Sequence, residues 1–199
     1  MIRSRNLLAL VALALGATVS LAHEQRYNVL NMNGANEAPN PVASLGTGTG
    51  LVTVDTDLFT MRVQVQFSGL TGNVTNSHIH CCTAVPGVST AGVATPVPSF
   101  PDFPAGGKSG SYDRTFDMTL ASSYNPAFIT ANGGTTGSAF AALLAGFDSG
   151  RAYWNIHSTF ANPGEIRAFL TPVPEPSSVA VLALWGVGLF AYRRNRRTA

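Results

Sequence analysis

Four histidines, two adjacent cysteines and ten carboxylates are the groups this 199-residue chain offers to metal, redox or acid–base chemistry. Two histidines form the pair Ser77-His78-Ile79-His80, and a third closes the run Tyr153-Trp154-Asn155-Ile156-His157. Side chains of an extended strand alternate between its faces, so His78 and His80 point the same way, as does Cys82 if the strand continues that far. A His-x-His pair is thus a two-point ligand set arranged by the backbone alone. In the second run Tyr153, Asn155 and His157 share one face, while Trp154 and Ile156 share the other. With Ile79, Trp154 and Ile156 turned to a core, all three histidines face away from it. Three imidazoles, with or without the Cys82 thiolate, suit zinc or copper. The other role open to them is to hydrogen-bond nearby backbone and hold a loop in place. Three are too few for a dinuclear centre and no Asp stands at a zinc-ligand spacing, so redox catalysis has no support.

Cys81 and Cys82 are neighbours, so a bond between them closes a strained eight-membered ring and no ordinary staple is available. Four states stay open: a vicinal disulfide, free thiols, intermolecular bridges, or ligation of a metal by Cys82 beside His78 and His80. Glu165 and Arg167, two residues apart on a strand, read as a surface ion pair. Nothing resembles a nucleophile elbow, a supported carboxylate pair or a phosphate-binding glycine loop, and a non-enzymatic protein is expected.

Both ends carry targeting signals. Arg3 and Arg5 precede an apolar segment from Leu7 to Val19, and Ser20-Leu21-Ala22 sets small residues before a cleavage point, giving a signal peptide over 1–22. Cleavage after Ala22 leaves His23 as the mature N-terminus, where its amine and imidazole form a chelate that suits copper. At the other end an uncharged run over 177–192 is followed by Arg193, Arg194, Arg196 and Arg197. Its sixteen residues make about 24 Å of helix against roughly 30 Å of hydrocarbon, a short transmembrane span if the arginines snorkel. The arginines set its orientation toward the cytoplasmic side.

Pro174-Glu175-Pro176, the short apolar run and the arginine cluster, in that order, resemble the PEP-CTERM sorting signal of Gram-negative bacteria. The resemblance implies recognition and processing by an exosortase-type membrane enzyme, transient anchoring in the inner membrane, and delivery to the cell surface or extracellular matrix. An extracellular polysaccharide or matrix polymer is the class of partner that destination offers. Between Arg26 and Thr171 six basic residues stand against eight acidic ones, a net of −2, so the overall charge of +2 belongs to the ends. Nucleic acid is therefore not an expected partner. One domain over 23–171 is expected, with the sorting tail over 172–199.

The elements that must position the histidines read as strands. Tyr27 to Met32 is one; Gly48 to Asp55 and Leu58 to Ser68 form a hairpin through the Asp55-Thr56-Asp57 turn. Met61, Val63, Val65 and Phe67 alternate with Arg62, Gln64 and Gln66, which sets an inner and an outer face. Val74 to His80 follows, and then five prolines between Cys81 and Gly110 forbid sheet interior and predict a long loop. Ser111 to Leu120 returns to strand. Asn125 to Ile129 reads as a short helix with an Asn cap and proline in its first turn, and Ser138 to Leu144 as a second helical piece. Arg151 to Ser158 and Gly164 to Leu170 close the domain. The expected fold is mainly β: an antiparallel β-sandwich with short helices, plus one C-terminal transmembrane helix.

Glu37-Ala38-Pro39, Gly48-Thr49-Gly50, Ser77-His78-Ile79-His80, and Tyr153 to His157 with Gly164-Glu165-Ile166-Arg167 are together similar to the CHRD domain, named from chordin. The likeness spans Tyr27 to Leu170. It implies a fold related to the immunoglobulin-like sandwich of copper/zinc superoxide dismutases. Ala168 departs from the family, which commonly has glycine after Glu-Ile-Arg.

Overall fold

The computed structural model describes residues 24–174. The signal peptide, the Ala22/His23 cleavage point, Glu175, Pro176, the apolar run over 177–192 and the four terminal arginines lie outside the described residues. Among the described residues no helix is long and apolar enough to cross a membrane.

Seven strands, β1 (Glu24–Asn33), β2 (Thr47–Asp55), β3 (Thr60–Ser68), β4 (Val74–His80), β5 (Gly110–Asp117), β6 (Tyr153–Ser158) and β7 (Ile166–Pro172), carry the fold. Two helices, α1 (Pro126–Ala131) and α2 (Thr136–Asp148), lie between β5 and β6. The Asp55 carboxylate accepts from the amides of Asp57 and Leu58 at 2.9 and 2.8 Å, and this local turn sets the β2–β3 register. The expected alternation follows: Met61, Val63, Val65 and Phe67 are buried while Arg62 and Gln66 are exposed.

All pairings are antiparallel and the strands form one sheet in the order β4-β6-β7-β1-β2-β3-β5. The sheet is curled on itself. Phe100 touches Trp154 of β6 at 5.5 Å between ring centroids and also Phe116 of β5 at 5.4 Å, although those strands stand near opposite edges. Gly50 of β2 lies so close that an added Cβ would come 3.5 Å from the Trp154 ring and 2.7 Å from the Gln64 carbonyl. The two layers of the expected sandwich are thus the two halves of one folded sheet. A register shift in β1 after Val29, where Asn31 adopts φ 57°, supplies the bend that regular pairing would resist.

The proline-rich segment after β4 covers an edge. Its amides at Ala94 and Phe100 each donate at 2.9 Å to the Ile79 and Ser77 carbonyls, and Gly106 donates to Val74 at 2.9 Å. Edge groups that would otherwise meet water or another chain are satisfied within the domain. Asn125 caps α1, accepting from Ala127 at 3.0 Å, with Pro126 in the first turn. The second helix is longer than expected, because the Thr135/Ser138 capping box starts it early and Ala139, Phe140, Leu143, Gly146 and Phe147 form one buried stripe. At the end of the domain β7 runs to Pro172 and the Val173 amide donates to the Arg26 carbonyl at 2.9 Å.

Candidate metal centre

The β4–β6 register sets His78 opposite Asn155, His80 opposite Tyr153 and Asn76 opposite His157, and β7 brings Arg167 opposite Asn155. Opposed residues share a face, so His78, His80, Tyr153, Asn155, His157 and Arg167 form one polar surface. The reverse face holds Ile79, Trp154, Ile156 and Ala168 in the core. His78 and His157 bring their Nε2 atoms to 2.9 Å, and the ligand atoms of His78, His80 and His157 all lie within 4.8 Å of one another.

Backbone carbonyls orient all three rings. His78 Nδ1 meets the Pro98 carbonyl at 3.2 Å, His80 Nδ1 that of Ala91 at 2.8 Å, and His157 Nδ1 that of Asn162 at 2.8 Å. A carbonyl oxygen only accepts, so each Nδ1 carries the proton and each Nε2 is left with its lone pair. Two lone pairs at 2.9 Å repel unless a cation stands between them. Burial, then the neighbouring His157 and His80 rings, push the His78 imidazole down to about 3, and burial pushes His80 down to about 4. The proton is therefore a disfavoured cation here. A tetrahedral zinc with bonds of about 2.05 Å separates its nitrogens by about 3.3 Å, which falls between the 2.9 Å of the His78–His157 pair and the 4.8 Å limit within the trio.

Around the rings the contacts are close. Tyr153 stacks on His80 at 4.6 Å and 6° between ring planes, and the Arg167 guanidinium lies 4.6 Å over Tyr153. Arg167 also donates to the carbonyls of Asn36 and Ser89. Glu37 is buried, and the Asn155 amide donates to its Oε2 at 3.4 Å. Burial pushes the Glu37 carboxyl up to about 7 against the opposing pull of Arg167, the Asn155 amide and the Ala38 backbone amide. Glu37 Oε1, Asn155 Oδ1 and His80 Nε2 are buried without a hydrogen-bond partner.

The shared orientation expected for His78, His80 and His157 is present, but the site is not open to solvent. His78 and His157 are only 5% and 7% exposed, because the segments carrying Ala91, Pro98 and Asn162 close over them. Cys82 does not join the set. β4 ends at His80, alternation stops there, and Cys82 forms a vicinal disulfide with Cys81 that packs against Gly146 of α2. Glu165 and Arg167 are not a surface ion pair either. Both are buried, and Glu165 accepts from Ser44, Ser158, Thr71 and Gly72 instead. Sequence reasoning missed Glu37 and Asn155 as site residues. Asn155 carried a signal, its shared face with Tyr153 and His157; Glu37 lies in a loop where no periodicity applies.

Comparison with known proteins bears on both parts of the chain. The PEP-CTERM protein-sorting motif matches residues 172–197, the signal read by exosortase-type systems that marks proteins for the cell envelope or exterior. No curated protein and no solved structure matches the chain. The CHRD domain matches residues 29–170, from β1 to β7 and more than half of the sequence, and the protein belongs to the CHRD domain family.

Proposed function

We propose that this is an exported, surface- or matrix-associated protein without enzymatic activity, whose CHRD domain binds one zinc or copper ion through Nε2 of His78, His80 and His157. One observation carries the reading: three imidazoles held by backbone carbonyls aim their free nitrogens at one another inside a buried pocket. Nitrogen donors and a preformed geometry suit zinc and copper better than calcium or magnesium, which require oxygen. The sorting motif supports an exosortase-type enzyme as processing partner, transient anchoring through the C-terminal run, and an extracellular polysaccharide or matrix as the surroundings.

Metal analysis of the mature protein purified from the exported compartment, followed by equilibrium dialysis, tests this. One Zn²⁺ or Cu²⁺ per chain is expected, with His80→Ala weakening it at least tenfold and His23→Ala leaving it unchanged. No bound metal at neutral pH would leave the histidines as loop pins. In that role His80→Ala lowers the unfolding midpoint equally with and without added metal.

A further inference from the structure

We infer that the three-histidine centre keeps one exchangeable coordination position, and that Glu37 and Asn155 hold the water that fills it; this rests on the metal reading above. The three buried atoms that lack partners around the site are Glu37 Oε1, Asn155 Oδ1 and His80 Nε2. With Glu37 ionised all three are acceptors, and a buried acceptor without a donor costs about 1–3 kcal/mol. The nearest cation does not relieve them, because the Arg167 guanidinium is engaged with two carbonyls and the Tyr153 ring.

A metal ion with one coordinated water matches this deficit atom for atom. The ion takes the His80 lone pair together with those of His78 and His157. The water supplies two hydrogens, one for Glu37 Oε1 and one for Asn155 Oδ1. Asn155 lies on the histidine face of the sheet, opposite His78 and between Tyr153 and His157 on its strand. Its amide also donates to Glu37 Oε2, which fixes the carboxylate. Gly164 packs directly on the Asn155 amide, where an added Cβ would strike it, so a glycine there helps hold the amide in place. Three protein ligands plus an exchangeable fourth distinguish an open centre from a closed structural one. The ligand class expected at that position is a small neutral donor such as water. Anions that only accept hydrogen bonds are opposed by two acceptors.

The Cu²⁺-loaded full-length mature protein tests this, with water-proton relaxation reporting coordinated water and azide as the competing probe. Wild type is expected to enhance water relaxation and to bind azide weakly. Glu37→Gln, which keeps the shape and presents an amide donor, should bind azide at least tenfold more tightly while still holding one Cu²⁺ per chain. A Cu²⁺-loaded wild type with no relaxation enhancement and no azide response has a closed site, which overturns this inference and leaves the metal reading standing. Unchanged azide affinity in Glu37→Gln likewise removes Glu37 from the position. Failure to load either Cu²⁺ or Zn²⁺, seen before azide is added, overturns both readings.

Discussion

Replacing Glu165 by alanine should unfold this domain more readily than any surface substitution, and the cost follows from its partners. The side chain is fully buried immediately before β7. Its Oε1 accepts from the Ser44 hydroxyl and the Thr71 amide, both at 2.5 Å, and its Oε2 from the Gly72 amide at 3.2 Å and from the Ser158 hydroxyl. One carboxylate therefore ties the segment before β2, the β3–β4 connection and the end of β6 to β7. Alanine leaves the buried Gly72 amide and Ser158 hydroxyl short of an acceptor, each costing about 1–3 kcal/mol, while Ser44 and Thr71 can turn to water. A total of about 2–6 kcal/mol is expected, which lowers a urea midpoint by about 1–3 M for a domain of this size. The pH dependence carries a second check. Burial pushes the carboxyl up, but the Ser158 and Ser44 hydroxyls and the Thr71 and Gly72 amides outweigh it and hold Glu165 below the usual carboxylate range. A depressed folded value means its contribution is complete above the unfolded value near 4.3 and is lost as pH falls through the folded one. The gap between the wild-type and Glu165→Ala midpoints should therefore narrow in acid. A midpoint shift below about 0.5 M at neutral pH, or a gap undiminished at pH 2–3, would refute the clamp.

Other outcomes follow from burial and register. Val65→Asp puts a carboxylate without a partner into the core and should cost several kcal/mol, whereas Gln66→Asp on the exposed face should stay within about 0.5 kcal/mol; similar urea midpoints would overturn the β3 register. Joint replacement of Cys81 and Cys82 by serine should change metal affinity less than threefold, and a tenfold loss would return Cys82 to the ligand set. Gly146→Ala drives a methyl into both sulfurs and should cost about 1–3 kcal/mol, so an unchanged thermal midpoint would show that α2 does not press on the disulfide.

Much of the site was legible because strand geometry is local. The two-residue period alone places His78 and His80 together and Tyr153, Asn155 and His157 together, and the opposite parity buries Ile79, Trp154 and Ile156. The Asx turn at Asp55 and the Asn125-Pro126 helix start are likewise local chemistry. Cys82 stayed open for the same reason, since alternation holds only while the strand lasts and β4 ends at His80, leaving the vicinal disulfide among the open states as the one formed. Glu165 and Arg167 were misread as exposed because nothing nearby in sequence shows which loops will cover them. The ends are a separate case, for the sorting motif is a linear signal that needs no fold.

What the chain determines by itself, then, is the facing of each strand and the address of the protein. The tertiary structure decides that His78 meets His157 across 79 residues, that the Pro98, Ala91 and Asn162 carbonyls fix the three rings, and that Glu37 Oε1 and Asn155 Oδ1 are left without donors beside them. The reason is range: alternation follows from backbone geometry within a few residues. Convergence and burial depend on how a curled seven-stranded sheet and its proline-rich edge loop close over one another.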